Sequence, residues 1–195
     1  TSIENIHKVI DPLFLNGLRS ELDEIKQVSA AKTRQKRLTA FQDKLASLKF
    51  LDPACGSGNF LTETYLSLRK LENETLSLLQ GNRIAFDLEN LSPIKVSIKQ
   101  FYGIEINDFA VTVAKTALWI AESQMMKETE NVIHISLDFL PLKSYANIIE
   151  ANALQLDWES VVPKENVNYI MGNPPFIGYS LQTPAQKQEI RSIYI

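Results

Sequence analysis

The sequence predicts an α/β fold, a mainly parallel sheet with helices on both faces. Three observations carry that reading. The apolar period changes near residue 50, from helical spacing to short apolar runs. The runs, at 49–52, 101–106, 147–153 and 167–171, alternate with stretches of helical spacing, the pattern of a parallel sheet covered by its own crossovers. Each run also ends at a polar cluster: Asp52 with a glycine loop, Glu105, Asn152 and Asn173. Ligands of open parallel sheets bind beyond the carboxyl ends of the strands, so these distant clusters are expected on one rim.

Residues 1–48 read as a helical segment. Ser2 is expected to cap a short first turn. Asp11-Pro12 is expected to start a helix, with Asp as N-cap and Pro at the first helical position. Leu13, Leu18, Leu22 and Ile25 then fall near helical spacing, and Leu38, Phe41, Leu45 and Leu48 step by three and four. Lys32, Arg34, Lys36 and Arg37 read as a solvated helix face, with a nucleic-acid patch as the alternative. Residues 49–195 read as the α/β core. After the first strand and its glycine turn, Leu61, Tyr65, Leu68 and Leu71 mark a helix. After the second strand a helix starts near Asn107 or Asp108. Ala110, Ala114, Ala117 and Ala121 lie on one face of it and allow close approach to a neighbour. The stretches 80–99 and 125–146 show no clear period and read as insertions.

The 195 residues suffice for one domain with a sizeable core. Hydrophobic content of 45% and charged content of 22% are those of a globular protein. A net charge of -3 argues against a basic wrapper of nucleic acid; DNA contact, if it exists, must come from a local patch or from a part not present here. Cys55 is the single cysteine, which excludes an internal disulfide and a cysteine-rich zinc site. His7 and His134 are not spaced as a metal pair and read as ordinary surface or core residues; no metal is expected. No signal peptide and no membrane-length apolar run are seen, so a cytoplasmic protein is expected.

The chemistry is concentrated in four strings. In the first, Asp52-Pro53-Ala54-Cys55-Gly56-Ser57-Gly58-Asn59-Phe60, the glycines permit a tight turn and close backbone approach to a ligand, and the following helix offers unpaired N–H groups. A generic glycine turn would not require Asp52, and the lysine of a phosphate-cradling loop is missing. In the second, Gly103-Ile104-Glu105-Ile106-Asn107, the carboxylate is suited to the two hydroxyls of a ribose, although it lies farther along the chain than in the dinucleotide fingerprint. The third is Asn152-Ala153-Leu154, with Asp157 and Asp138 as rival polar groups and a plain surface asparagine as the bland alternative. In the fourth, Asn173-Pro174-Pro175-Phe176, two prolines stiffen an extended backbone and aim the Asn173 side-chain and Pro174 main-chain carbonyls; Phe176 offers a flat face for a base. The alternative there is a rigid turn with a core phenylalanine.

The first string resembles the methionine-binding motif of class I methyltransferases, in the form typical of amino-group DNA methyltransferases. With the other three, the chain resembles the enzymes that methylate the N6 amino group of adenine in DNA. Residues 9–15, 43–48 and 172–179 are similar to segments of the large MmeI-like restriction–modification methyltransferases. The resemblance implies a Rossmann-like sheet in the order 3-2-1-4 and S-adenosylmethionine as cofactor. It implies a cofactor site on Asp52, Pro53, Ala54, Cys55, Gly56, Gly58, Asn59, Phe60, Glu105, Ile106, Asn152 and Ala153. Asn173, Pro174, Pro175 and Phe176 would act on an adenine flipped out of double-stranded DNA. Cys55 then lines the turn and is no nucleophile. Rival readings are a protein-glutamine or RNA base-amino methyltransferase and a non-catalytic cofactor-binding module. The family's upstream cofactor segment is not identifiable. Its sheet has seven strands followed by a target-recognition domain, so a fragment of a longer protein is expected, with an open edge at strand four and poor DNA binding on its own.

Overall fold

A computed structural model describes residues 1–80, 93–134 and 146–194. Four strands, β1 (Phe50–Asp52), β2 (Phe101–Glu105), β3 (Asn147–Glu150) and β4 (Tyr169–Ile170), form one parallel sheet in the order β3-β2-β1-β4. All four expected strands and their expected order are present, each shorter than its apolar run. β4 lies at an edge of the described sheet, as expected.

Helix α4 (Asn59–Gln80) links β1 to β2 and α5 (Asp108–Ile133) links β2 toward β3. They pack on the same face of the sheet, as two successive right-handed crossovers in one direction require. Leu61, Tyr65, Leu68 and Leu71 are buried as their spacing predicts. On α5, Ala114 and Ala121 are buried while Ala110 and Ala117 are half-buried. The opposite face of the sheet, with Leu51 and Ile104, is covered by the irregular stretch 151–167 and its 3-10 turn Trp158–Ser160. Among the described residues, that turn stands where a second helical layer was expected.

The first helical stretch differs from expectation. Helices α1 (Ile3–Ile10) and α2 (Asn16–Lys26) are joined without a break by a π-helical turn, Asp11–Leu15. Pro12 has no N–H to give to the preceding turn, and the chain absorbs the defect by widening, with Asn16 N–H donating to the Asp11 carbonyl. Asp11 therefore caps nothing, and Ser2 makes no side-chain cap either. The widened turn rotates Leu13 outward and Phe14 and Leu15 inward. Phe14 meets Phe50 and Tyr169 with ring centroids 5.1 and 5.0 Å away. Phe50 stacks on Phe101 and Tyr169, its register neighbours on either side. The helical segment thus shares one core with the sheet. Helix α3 (Ala31–Ser47) buries Leu38, Phe41 and Leu45, and Leu48 follows them into the core.

His7 is a half-buried structural residue: Nδ1 pairs with Asp11 Oδ1 at 2.8 Å and Nε2 with Glu63 Oε1 at 2.9 Å, clasping α1 to α4. Those hydrogen bonds, Asp11 first, raise its pKa. Lys32, Lys36 and Arg37 are exposed on α3, and Arg34 is half-buried.

Residues 125–133 are not an insertion. They continue α5, because Met125, Thr129 and Ile133 keep a four-residue step against α4. Thr129 there accepts from Arg69, which is paired with Glu72 in the core. Residues 93–99 are also tied in: Glu72 accepts from the backbone of Lys95 and Val96, and Val96 and Ile98 are buried. Residues 81–92 and 135–145, with Asp138, lie outside the described residues. Among the described residues no helix is long and apolar enough to cross a membrane, and no acidic, histidine or cysteine group is arranged to hold a metal.

Candidate active site

The glycine loop leaves β1 and turns under the end of β2. Gly56 and Gly58 have φ of 53° and 79°, the left-handed region where a side chain is strained. At Gly56 an added Cβ would meet nothing within 4 Å, so the backbone there borders open space. At Gly58 it would lie 2.9 Å from Ala114 Cβ. Here the small residues of α5 have their use, letting that helix close on the loop. Cys55 N–H donates to the Ile104 carbonyl, and the Cys55 side chain is buried against Gly103, where a Cβ would sit 2.8 Å from Sγ. Burial pushes the thiol up to about 12, which keeps it protonated and unreactive. Phe60 packs into the core, Pro53 and Ala54 are half-buried, and Asn59 is exposed beside Ser57.

Glu105 spans the loop. Its Oε2 accepts from Gly56 N–H at 2.8 Å and its Oε1 from Asn107 N–H at 3.0 Å. Each carboxylate oxygen keeps a further acceptor position. Asn107 caps α5 through Ala110 N–H, leaving Ile106 and Phe109 exposed at the rim. The Glu105 carbonyl accepts from Ala151 N–H at 2.9 Å, holding the exit of β3 beside β2. Half-buried Asn152 and Ala153 follow there. Asn152 Oδ1 accepts from Leu154 N–H at 3.0 Å. Asp157 instead caps the 3-10 turn through Glu159 N–H.

The exit of β4 reaches the same rim. Met171 N–H donates to the Leu51 carbonyl, and Gly172 then lies so close to Asp52 that a Cβ would fall 2.4 Å from its Oδ1. Asn173 follows directly, with Nδ2 donating to Thr1 Oγ1 at 3.2 Å. Asn173, Pro174 and Pro175 are exposed, and Phe176 is 95% exposed, which removes the core-phenylalanine alternative. All four clusters thus lie at the carboxyl ends of the four parallel strands, along one rim of the sheet. Gly172 was not singled out in the sequence for any contact, although a glycine ending a short apolar strand signals close approach. Glu189 on α6 (Pro184–Tyr194) also reaches this rim, accepting from Asn152 and Gln155, and no motif marks it.

The model of the MmeI DNA-methyltransferase domain matches residues 28–195. The chain belongs to that family. DNA methyltransferase A of Bacillus subtilis (strain 168) is 41% identical over 200 residues, which is 100% of this chain and 21% of that protein. A Methanocaldococcus jannaschii protein named for type II restriction and methyltransferase functions is 32% identical over 121 residues, 61% of this chain and 10% of its own. The structure of the type IIL restriction–modification enzyme MmeI in complex with DNA superposes with a TM-score of 0.89 at 42% identity, covering 100% of this chain and 25% of that one. The chain therefore spans about a fifth to a quarter of the length of DNA methyltransferase A and MmeI.

Asp52 is the electrostatic singularity of the rim. It is 1% exposed, and burial raises its pKa to about 7 against a hydrogen bond from Ala54 N–H. The unfolded chain loses this proton near the ordinary carboxylate pKa while the fold keeps it to about 7. Between those values the native state holds more protons, so stability falls as pH rises, with a slope of at most about 1.4 kcal/mol per pH unit. Asp52→Asn should flatten the loss. Urea unfolding of both proteins from pH 4 to 8 checks it, and parallel curves would show that Asp52 does not titrate in this window.

Proposed function

We propose that this domain transfers a methyl group from S-adenosylmethionine to the N6 amino group of adenine in DNA. The observation that carries the reading is the contact of Gly172 with Asp52. It joins the end of the glycine loop's strand to the residue just before Asn173, so a cofactor on the loop and a base at Asn173 share one rim. The loop fits the cofactor chemically. Open space borders Gly56, and Glu105 keeps two acceptor positions for ribose hydroxyls. Ile106 and Ala153 stand next to Glu105 and Asn152 in the chain and would line the cofactor, with Asn152 taking its adenine amino group.

Bound S-adenosylmethionine supplies an electrophilic methyl on a sulfonium, and the leaving group is a neutral thioether. Asn173 Oδ1 and the Pro174 carbonyl accept the two N–H hydrogens of the target amine, turning its nitrogen lone pair toward the methyl. The stiff Pro174-Pro175 backbone holds those acceptors still. Phe176, already displayed to solvent, takes the base flipped from double-stranded DNA by stacking. The methylated nitrogen is acidic and gives its extra proton to water past the Asn173 and Pro174 acceptors, so no strong base is needed; positioning and acceptor placement carry the rate. Sequence choice belongs to the remainder of the longer protein, including its target-recognition domain, and the expected setting is the cytoplasm.

Competition among DNA, RNA and protein for the labelled methyl of S-adenosylmethionine tests the reading in the full-length protein. Label on DNA adenine supports it. Label on a glutamine amide or on RNA supports the rival enzymes, and cofactor binding with no transfer supports a non-catalytic module. Glu105→Ala should weaken cofactor binding by about 1–3 kcal/mol. Titration calorimetry reads the change, and unaltered affinity in a folded variant would remove Glu105 from the site.

A further inference from the structure

Asn152 is committed at both ends of its amide. Its Oδ1 accepts from Leu154 N–H at 3.0 Å, and its Nδ2 donates to Glu189 Oε1 at 3.3 Å. The same Glu189 oxygen accepts from Gln155 Nε2 at 2.9 Å. Glu189 is half-buried on α6, the helix that follows the Asn173 loop, and is brought from 37 residues away onto the exit of β3. An asparagine on its own can turn either its oxygen or its nitrogen to a ligand. A carboxylate fixed against its nitrogen removes that freedom, because a flipped amide would set two oxygens against each other.

We propose that Glu189 is a positioning and specificity residue of the cofactor site: with Asn152 it forms the acceptor that reads the exocyclic amino group of the cofactor's adenine. The inference rests on S-adenosylmethionine being the cofactor. Glu189 locks the Asn152 amide with Oδ1 in the acceptor role. A 6-amino purine offers an N–H donor to this pair, whereas a 6-oxo purine offers an oxygen and is repelled. The arrangement also ties α6, and with it the segment after Asn173, to the purine end of the cofactor. An aspartate at 152 would face Glu189 as a like charge, so the amide at 152 and the acid at 189 are matched to one another.

The test uses full-length protein and two probes, S-adenosylhomocysteine and its 6-oxo (hypoxanthine) analogue, titrated by calorimetry. The native protein should prefer the 6-amino probe by roughly tenfold or more, the value of one well-made hydrogen bond against a repulsive one. E189A should lose most of that preference while melting as one cooperative unit. N152D should bind the 6-amino probe more weakly than native protein, and the double variant N152D/E189A should recover the preference, since the aspartate then supplies the acceptor without its rival. An unchanged ratio in E189A would reduce Glu189 to a clasp for α6 and overturn the proposal. If E189A binds neither probe, recovery in the double variant still supports it and failure to recover overturns it. Native protein that binds both probes equally overturns this inference and leaves the cofactor reading standing, whereas native protein that binds neither overturns both.

Discussion

Asn173→Ala in the full-length protein is expected to abolish most methyl transfer and leave cofactor affinity where it was. The residue stands one position beyond Gly172, on a stretch held by the Met171–Leu51 hydrogen bond on one side and by two prolines on the other. Its side chain is exposed at the rim, where its Nδ2 donates to Thr1 Oγ1, so its loss costs the fold little. Removing one fixed group that stabilises charge in a transition state slows reactions by roughly a hundred- to a thousandfold. The same drop is expected here, because in the proposed mechanism the amine becomes positive as the methyl bond forms and Asn173 Oδ1 would accept from it. Single-turnover transfer to DNA and calorimetric titration of the cofactor separate the two effects. Phe176→Ala should instead raise the DNA concentration needed, since its exposed ring has nothing to hold within the fold. A fully active Asn173→Ala enzyme would refute the mechanism.

The strands, their order and the meeting of four polar clusters on one rim were legible because period and motif coincide at each strand end. Phe50, Phe101 and Tyr169 are apolar at the right spacing and stand in register, so a run of three or four residues was enough. The end of α5 was not legible. Residues 126–132, Met-Lys-Glu-Thr-Glu-Asn-Val, carry their helical face through Thr129, whose burial depends on the Arg69–Glu72 pair of another helix. Nor was the fate of Asp11-Pro12. The dipeptide is a sound start signal locally, but Phe14 and Leu15 gain more by turning into the aromatic cluster than Asp11 would by capping, so the helix widens and continues. On the rim, Asp52, Glu105, Asn152 and Asn173 could be named from their strings, and two of them have distant partners. Those partners could not be named, since Gly172 and Glu189 matter through contacts across 120 and 37 residues of chain.

Gly172→Ala is expected to damage cofactor binding and methyl transfer together, and that joint loss separates it from Asn173→Ala. Gly172 has no positive φ, so alanine suits its backbone; the obstacle is the carboxylate of Asp52, whose Oδ1 would lie 2.4 Å from the new methyl and whose Cγ would lie 2.9 Å away. Asp52 cannot swing aside freely. It is buried, it accepts from Ala54 N–H, and it stands at the start of the glycine loop. Either the glycine loop or the Asn173 segment shifts, and under the proposed mechanism both cofactor and base lose their fit. Overpacking of this kind costs about 1–3 kcal/mol of stability, and misplacing reacting groups by an ångström costs roughly a hundredfold in rate. Thermal melts, cofactor titration and DNA methylation should all fall. Asp52→Ala in the same chain removes the obstructing carboxylate, so the double variant should be more stable than the sum of the two single losses predicts. Strict additivity in the melts would show that the two residues do not press on one another, and the bridge between cofactor loop and catalytic motif would have to be sought elsewhere.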